Sequence, residues 1–323
     1  MKTEKDKIYM GLDIGSVSIN TVVISGEGTL LASDYRRTRG RVVEAVRESL
    51  RWFRDIFPGH EKPDGLGTTG SGRYLAAVLT GADLIKNEIT AHTAAAVHSY
   101  PDVRTLLEIG GEDSKIVIIR DGLPVDFAMN TLCAAGTGAF LDQLAGRLGV
   151  PVEDLGGMSE RAENETAVSG RCTVFAESDI IFKQQAGFPL EDIVKGLCRS
   201  MVRNYLGDTA RGKEILGPVV FQGGVAANTG IRRALEEELG LEILIPEYFS
   251  VMGALGSALL TRNFMSGKKM ESGMKPIEMV LDSDFCTESF SCGHCGNNCE
   301  ILRFTENGVP CGYQGGRCER WQV

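Results

Sequence analysis

The sequence predicts an α/β protein of two related lobes that face each other across a cleft, with a small cysteine-rich extension at the C-terminus. Three observations lead to this prediction. One strand-turn-strand unit occurs twice in the chain, a third glycine-rich turn follows a later apolar strand, and six of the nine cysteines fall between Cys286 and Cys318. A chain of 323 residues is long enough for two packed cores.

The repeated unit organises the first two thirds of the chain. Residues 9–35 read as a strand, a glycine turn, an alternating strand, a Gly-Glu-Gly turn and a third strand. Residues 105–130 have the same order, with Asp-Gly as the hairpin turn. When the copies are overlaid, Asp13 falls on Glu108 and Gly15 on Gly110. The chain therefore contains one supersecondary unit twice.

Helical patterns follow each copy and complete the two lobes. They cover residues 41–57 and 71–99 after the first copy, and 137–148 and 189–211 after the second. We place the first lobe at 1–102, completed by 245–262, and the second at 103–244. The remaining residues, 263–323, form a linker and the cysteine-rich tail.

Each repeat presents a carboxylate beside a tight glycine turn. Glycines let backbone N–H groups approach phosphate oxygens, and carboxylates hold the waters of a hard cation such as Mg²⁺. Asp13 and Glu108 are the predicted magnesium carboxylates. The predicted phosphate-binding residues are Gly15, Ser16, Gly110, Gly111 and Asp113. The alternative is that both segments are ordinary hairpin turns, but their pairing favours a nucleotide site.

A third glycine cluster lies in residues 219–235, "VVFQGGVAANTGIRRAL". An apolar strand runs into a Gly-Gly turn and then an amphipathic helix, and such a turn lets a flat ring lie against the backbone. We assign the cluster to adenosine; the residues concerned are Gly223, Gly224, Val225 and Asn228. Any αβ unit can carry this pattern alone, and its position after two phosphate loops strengthens the assignment.

Charge and composition exclude some partners. The net charge is −9 without a basic block, which argues against nucleic acid and anionic membranes as partners. The N-terminal segment has no apolar core of signal-peptide length, and no later run approaches the length of a membrane span. We expect a cytoplasmic protein whose cysteines serve metal or redox chemistry.

The tail carries most of the cysteines. Residues 264–276 read as a polar, glycine-broken linker. After it come Cys292-x2-Cys295-x3-Cys299, Cys311 and Cys318, with His294 between the first two. Short spacing with intervening glycines is typical of metal sites. A structural Zn²⁺ site and a 4Fe-4S cluster are both open, and an unmetallated tail is the alternative.

The three glycine motifs resemble those of the acetate and sugar kinase, Hsc70 and actin superfamily. "GLDIGSVS" matches the first phosphate motif, "LEIGGEDSK" the second and "FQGGVAAN" the adenosine motif, over roughly residues 8–260. The resemblance implies two lobes of the actin-like, ribonuclease H-like ATPase fold with ATP or ADP in the cleft. It leaves the reaction open, because kinases, chaperones and filament proteins share the fold.

Two cysteine motifs select the branch. "CAAGTGAFLDQLAGRLGV" and "GRCTVFAESDII" resemble the ATP-dependent activators of 2-hydroxyacyl-CoA dehydratases and benzoyl-CoA reductases, the BadF/BadG/HgdC family. That resemblance implies a homodimer with one 4Fe-4S cluster between its subunits, held by Cys133 and Cys172. It also implies a ferredoxin or flavodoxin as electron donor, and an acceptor of the dehydratase, benzoyl-CoA reductase or double-cubane type in an anaerobe. We count Gly136, in the first motif, among the nucleotide-binding residues.

The cysteines of the lobes have different surroundings. Cys133 precedes the predicted helix 137–148, whose N-terminal partial charge favours an anionic cluster. Without the family motifs, Cys133 reads as a small buried turn residue and Cys172 as a strand-core residue. Cys198 lies among apolar helical positions and is predicted to be a core residue.

The resemblance also suggests catalytic roles. Asp13 and Glu108 organise magnesium, and Glu112 orients the attacking water. The second motif of the family commonly reads Asp-Ile-Gly-Gly-Gln-Asp, so Glu108 and Glu112 are departures from it. Two rival functions are a small-molecule kinase with structural metal in its tail and a nucleotide-gated binding module without redox chemistry.

Overall fold

The computed structural model describes residues 6–130, 134–169, 172–268 and 271–321. The chain divides into two compact units: Met1–His92 with Gly253–Val323, and Thr93–Met252. The tail thus belongs to the same unit as the N-terminal repeat. Among the helices in the described ranges, none is long and apolar enough to cross a membrane.

The described strands and helices alternate along the chain. The strands are β1 (Ile8–Ile14), β2 (Ser18–Ser25), β3 (Leu30–Arg37), β4 (Gly65–Thr69), β5 (Leu84–Ile85), β6 (Thr105–Ile109), β7 (Ser114–Arg120), β8 (Leu123–Asn130), β9 (Val219–Gln222), β10 (Ile243–Leu244), β11 (Phe285–Ser291), β12 (Glu300–Glu306) and β13 (Val309–Gln314). The helices are α1 (Val42–Ile56), α2 (Arg73–Thr80), α3 (Glu88–Ser99), α4 (Gly138–Leu148), α5 (Leu155–Arg161), α6 (Thr173–Gln185), α7 (Leu190–Thr209), α8 (Thr229–Leu239), α9 (Met252–Lys268) and α10 (Ile277–Asp282).

The two large sheets have the same topology, which confirms the predicted repeat. Their orders are β3-β2-β1-β4-β5 and β8-β7-β6-β9-β10. In both, the first three strands of the repeat are antiparallel and the last two pairings are parallel. Asp13 lies opposite Asn20, and Glu108 lies opposite Lys115 at the equivalent position.

The predicted turns of the repeat are present. The amide of Gly15 donates to the carbonyl of Ser18 at 2.9 Å, and that of Gly110 donates to Asp113 at 3.0 Å. Both close the same tight turn after the first strand of a repeat. The Asp121-Gly122 hairpin turn has φ angles of 51° and 74°, as a two-residue turn of this type requires.

The predicted helix over 71–99 is wrong in its middle. Gly81 ends α2 in the left-handed conformation, with φ of 70°, and its amide donates to the carbonyl of Ala77. The chain then forms β5 parallel to β4 before α3 begins. A glycine inside an apolar helical pattern is here a true helix end.

The surroundings of Cys172 also differ from the strand-core interpretation. Cys172 is the N-cap residue of α6 and is partly exposed. Within α6 only Ala176 and Ile180 are buried, and this spacing of four residues is helical. The short run Thr173-Val174-Phe175 resembles a strand only because its β-branched and aromatic residues are adjacent.

The segment predicted to be a linker is ordered by specific contacts of the first unit. Helix α9 continues to Lys268, so the first residues of that segment are helical. Further along, the carboxylate of Asp83 accepts hydrogen bonds from Ser272 Oγ at 2.7 Å and from the Gly273 amide at 2.6 Å. Lys62 Nζ donates to the carbonyls of Ser272 and Met274.

The tail forms a three-stranded antiparallel sheet of order β11-β12-β13. Phe285 and Phe304 from this sheet lie in the same buried cluster as Met10, Leu12 and Val46. Gly312 packs closely against Val78 of α2. The tail sheet therefore shares the hydrophobic core of the first unit.

Candidate functional site

The carboxylate of Asp13 lies at the end of β1 between two glycines. A side chain at Gly70 would approach Asp13 Oδ1 to 2.6 Å, and one at Gly253 would approach Oδ2 to 2.1 Å. The same position at Gly253 lies 3.1 Å from Nε2 of His92. Only glycine leaves room for the carboxylate at these two positions.

Buried polar atoms surround Asp13 on both neighbouring strands. Asn20 and Thr69 lie directly opposite Asp13 on β2 and β4, so the three side chains share one face of the sheet. In the described part of the chain, Asn20 Oδ1 and Thr69 Oγ1 are buried without a hydrogen-bond partner. Such oxygen atoms fit the water shell of a hydrated Mg²⁺, which keeps several waters when a protein binds it.

The equivalent carboxylate of the second unit is paired with a lysine. Lys115 Nζ lies 2.9 Å from Glu108 Oε2 and 2.8 Å from Asp113 Oδ1, and the Lys115 and Glu108 side chains are buried. Tyr205 donates its hydroxyl to the carbonyl of Lys115 at 2.7 Å, and burial raises the pKa of that phenol. The charge of Glu108 is thus offset within the protein by the ammonium group of Lys115.

The second phosphate turn itself is open. Gly111 and Glu112 are exposed at its tip. The first turn is similar, since Ser16 is exposed while its carbonyl accepts a hydrogen bond from Thr38 Oγ1 at 2.9 Å. The predicted contacts of these residues with phosphate, and of Glu112 with water, stay predictions.

The adenosine motif packs against the carboxylate of Glu108. Gly223 has φ of 91°, and a side chain there would lie 2.7 Å from Glu108 Oε1. Val225 is buried and Gly224 is exposed. Asn228 caps α8, because its Oδ1 accepts a hydrogen bond from the Ile231 amide at 3.0 Å. Its predicted contact with nucleotide stays a prediction beside this capping role.

The second phosphate turn is hydrogen-bonded to the start of α4. The amide of Gly138 donates to the carbonyl of Gly110 at 2.8 Å, and the amide of Ala139 donates to Gly111 at 2.7 Å. These are N–H groups that the first turn of a helix leaves without intrahelical partners. Gly136, just before the helix, is buried against Tyr205 rather than exposed at the turn.

Of the two predicted cluster ligands, the structure describes Cys172, and Cys133 lies outside the described residues. Cys172 is the N-cap residue of α6 and is partly exposed. On α6, Phe175 and Phe182 are 64% and 68% exposed and lie seven residues apart, so they share one face.

Cys198 is a core residue, as predicted. It is buried in α7 among the apolar residues of the second unit, and burial raises the pKa of its thiol to about 12. Its sulfur lies 4.0 Å from Asn228 Oδ1. The thiol is therefore protonated and inert at neutral pH.

The tail cysteines are spread over the sheet: Cys286 lies on β11, and Cys318 follows β13. Cys292, Cys295 and Cys299 occupy the loop between β11 and β12, whereas Cys311 lies on β13 and donates to the carbonyl of Phe304 at 3.4 Å. The indole of Trp321 donates to Cys292 Sγ at 3.2 Å and lowers the pKa of that thiol. His294 Nε2 accepts from Arg320 at 2.8 Å. Within the described ranges, no three His, Cys, Asp or Glu side chains are grouped closely enough to hold a metal ion.

Five residues of the site were missed from the sequence: Asn20, Thr69, Gly70, Lys115 and Gly253. Lys115 is seven positions after Glu108, as Asn20 is after Asp13, so the repeat itself marked the position. Gly70 follows β4 just as Gly223 follows β9, and both have positive φ. No sequence pattern marked Gly253 as a site residue, because only the folded chain places it against Asp13.

Comparisons with known proteins agree with this architecture. Residues 10–261 match the BadF/BadG/BcrA/BcrD ATPase family, so the match ends before the cysteine-rich tail. The chain is 35% identical over 252 residues to the (R)-2-hydroxyglutaryl-CoA dehydratase activating ATPase of Acidaminococcus fermentans, covering 77% of this chain and 95% of that protein.

Two solved structures are similar over most of the chain. Component A of the (R)-2-hydroxyglutaryl-CoA dehydratase of Acidaminococcus fermentans has a TM-score of 0.76 at 33% identity, covering 80% of this chain and 99% of that one. The activator of the 2-hydroxyisocaproyl-CoA dehydratase from Clostridium difficile, solved with bound ADPNP, has a TM-score of 0.73 at 33% identity, covering 82% and 98%. The predicted actin-like ATPase fold is confirmed, and the chain belongs to the BadF/BadG/BcrA/BcrD ATPase family.

Proposed function

We propose that this protein is an ATP-dependent electron activator. It couples ATP hydrolysis to one-electron transfer from a 4Fe-4S cluster that bridges a homodimer. The acceptor is a partner dehydratase or reductase of the 2-hydroxyacyl-CoA dehydratase, benzoyl-CoA reductase or double-cubane type, and a ferredoxin or flavodoxin is the donor. The similarity to dehydratase activators over more than three quarters of the chain supports this proposal.

The observation that carries the proposal is the link between the second phosphate turn and α4. The Gly110 and Gly111 carbonyls accept the first amides of the helix that begins five residues after Cys133. A shift of the turn on nucleotide binding or hydrolysis changes the acceptors of these two amides. The segment that carries Cys133 then responds to the state of the nucleotide.

The residues of the two phosphate turns have distinct proposed roles. Asp13 orients the waters of Mg²⁺, which neutralises charge on the phosphates when it is bound. Lys115 fixes the carboxylate of Glu108 and prevents it from repelling the nucleotide. The Gly15, Gly110 and Gly111 amides and Ser16 bind phosphate oxygens, and Glu112 positions the attacking water.

The proposed cluster site uses Cys133 and Cys172 from each of two chains. Four thiolates are the usual ligand set of such a cluster, and a twofold axis supplies them from two copies. The cluster supplies a single electron at low potential. The partial positive charge at the α6 N-terminus favours ligation by Cys172, and the exposed Phe175 and Phe182 supply apolar area for contact with another chain.

An energetic argument explains why ATP is needed. Moving one electron uphill by 100 mV requires about 2.3 kcal/mol. A transfer against a few hundred millivolts therefore needs a strongly favourable coupled reaction, and ATP hydrolysis supplies it. The chain's own part is to make the potential or accessibility of the cluster depend on the nucleotide.

The variant Ala139→Pro tests the link directly. Proline at the first turn of a helix removes one N–H without breaking the helix, so the hydrogen bond to Gly111 is lost and α4 remains. Ala139→Ser keeps that N–H and serves as the matched control. We measure the electron paramagnetic resonance spectrum of the dithionite-reduced protein with Mg-ATP, with Mg-ADP and without nucleotide.

The expected result is that Mg-ATP changes the spectrum of the wild type and of Ala139→Ser but not that of Ala139→Pro. Iron content and ATP binding should be equal in all three proteins. An Ala139→Pro spectrum that responds to ATP as the wild type does would remove this link from the mechanism. A wild-type spectrum that is insensitive to nucleotide would count against the proposed function itself.

A further inference from the structure

We infer that Arg39, in the connection between β3 and α1, binds the phosphate chain of the nucleotide. The inference rests on the proposed function, because it takes the turn that contains Gly15 and Ser16 as the first phosphate turn. It adds a charged side chain to that turn, and it concerns residues of the first unit alone. Arg39 belongs to a short basic block, residues 36–41, which the interpretation of the sequence missed.

The connection between β3 and α1 carries a high density of positive charge. Residues 36–41 read Arg-Arg-Thr-Arg-Gly-Arg, in a chain whose net charge is −9. Arg36 forms an ion pair with Asp34, which offsets its charge. Arg39 and Arg41 are exposed, and among the residues that the structure describes no carboxylate forms an ion pair with either guanidinium. Their positive charge is therefore accessible to an anionic ligand.

Two hydrogen bonds attach this connection to the first phosphate turn. The Thr38 hydroxyl donates to the carbonyl of Ser16 at 2.9 Å, and the Thr38 amide donates to the carbonyl of Val17 at 2.9 Å. Thr38 is buried, so these two bonds are shielded from water. Arg39 is the next residue in the chain. Its backbone is therefore held beside the turn whose amides are proposed to bind phosphate oxygens.

Arg39 has a backbone conformation that arginine rarely adopts. Its φ is 49° and that of Gly40 is 74°, and the Arg41 amide donates to the carbonyl of Thr38 at 2.9 Å. Positive φ at both central residues and this hydrogen bond match a β-turn of type I′. Asparagine, aspartate and glycine are the preferred residues at the first central position of such a turn. Local backbone energetics therefore disfavour arginine at position 39.

Two other turns of the same chain follow the usual preference. Asp121-Gly122, between β7 and β8, has φ angles of 51° and 74°, and Asn307-Gly308, between β12 and β13, has 51° and 77°. Arg39 is the exception among these three turns. Non-glycine residues held at positive φ are concentrated at ligand-binding sites, where the side chain serves the ligand. A guanidinium presents paired N–H donors in a planar fork that matches phosphate oxygens, so we assign Arg39 to phosphate.

The variant Arg39→Asn separates phosphate binding from a structural role. Asparagine suits a type I′ turn, so the urea unfolding midpoint should equal or exceed that of the wild type. The affinity for Mg-ATP should fall about tenfold, because charge-assisted hydrogen bonds to phosphate are lost. Arg39→Lys keeps the charge and should lose less affinity. The matched control is Arg211→Asn in the second unit, since Arg211 is also exposed and also precedes a glycine of positive φ, Gly212.

Isothermal titration calorimetry with Mg-ATP, on the full-length, anaerobically purified proteins at low and at high salt, gives the affinities. The expected result is weaker binding by Arg39→Asn, wild-type binding by Arg211→Asn, and a smaller difference between Arg39→Asn and the wild type at high salt.

Equal Mg-ATP affinities of Arg39→Asn and the wild type would overturn the inference and leave the proposed function intact. An equal loss of affinity in Arg211→Asn would also overturn it, because the effect would then come from net charge. So would a lower unfolding midpoint of Arg39→Asn, which would give the arginine a structural role. A wild type that does not bind Mg-ATP would refute the proposed function together with this inference.

Discussion

Replacing Phe304 by alanine tests whether the tail is part of the first unit. Phe304 is fully buried on β12 and stacks on Phe285, with ring centroids 6.0 Å apart and an interplanar angle of 22°. It lies in one apolar cluster with residues of β1 and α1. Truncating a buried phenylalanine to alanine costs about 3–5 kcal/mol, from lost transfer energy and the cavity that remains.

The two tryptophans of the chain report on opposite parts of this unit. Trp52 packs against the shared core from α1, and Trp321 packs on the tail sheet. The Trp321→Phe variant keeps only Trp52, so its fluorescence reports unfolding of the N-terminal part. The Trp52→Phe variant keeps only Trp321, so its fluorescence reports unfolding of the tail. With a urea m-value of about 3 kcal/mol/M, Phe304→Ala should lower both unfolding midpoints by about 1–1.7 M.

The control substitution is Val309→Ala on the neighbouring strand. Val309 is 65% exposed, so we expect a change within about 0.5 kcal/mol. If Phe304→Ala shifts only the Trp321 transition and leaves the Trp52 transition in place, the tail is an independent module. The conclusion that the tail sheet shares the hydrophobic core of the first unit would then be wrong.

Two further predictions concern the site, and a third concerns the buried core cysteine. Lys115→Met removes the lysine that pairs with the buried Glu108 and should cost about 3–5 kcal/mol by thermal unfolding. Adding Glu108→Gln should restore much of that loss, and no restoration would contradict the pairing. Gly253→Ala should displace the Asp13 carboxylate and abolish Mg-dependent ATP hydrolysis, whereas Gly267→Ala, in open space on the same helix, should leave it unchanged; equal activities would argue against the role of Asp13. Cys198 should resist iodoacetamide in the native protein near pH 8, as followed by mass spectrometry. Because burial raises the pKa of this thiol from 9.0 to about 12, its protonated form stabilises the fold fully below pH 9, and that contribution declines as the pH rises toward 12. Rapid native labelling of Cys198 would contradict its burial.

The repeat could be found in the sequence because glycine turns and hairpin turns are local signals. Asp13 and Glu108 follow apolar strands at the same place in each copy, and the structure gives them the same register. The pairing of Glu108 with Lys115 follows from the same hairpin register, so the repeat also marked it. The approach of Gly253 to Asp13 could not be derived in this way, because it depends on packing between distant parts of the first unit.

The short elements were the hardest to predict. Helix α6 buries only Ala176 and Ile180, which is too few residues for a clear helical period. The tail strands were not predicted, because the cysteines and glycines of this segment were interpreted as a metal site. Ile301 and Phe304 on β12 are nevertheless both fully buried. The predicted linker was misread because its polar residues, such as Ser272, bond to side chains far away in the sequence.

The central claim is that two chains share one 4Fe-4S cluster through Cys133 and Cys172. Iron and acid-labile sulfide per dimer, measured on anaerobically purified protein, test it most directly. We predict about four irons and four sulfides per dimer in the wild type and in the core variant Cys198→Ser, and loss of both in Cys133→Ser and Cys172→Ser. Unchanged iron in both ligand variants, or an iron-free wild type that still hydrolyses ATP, would contradict the account.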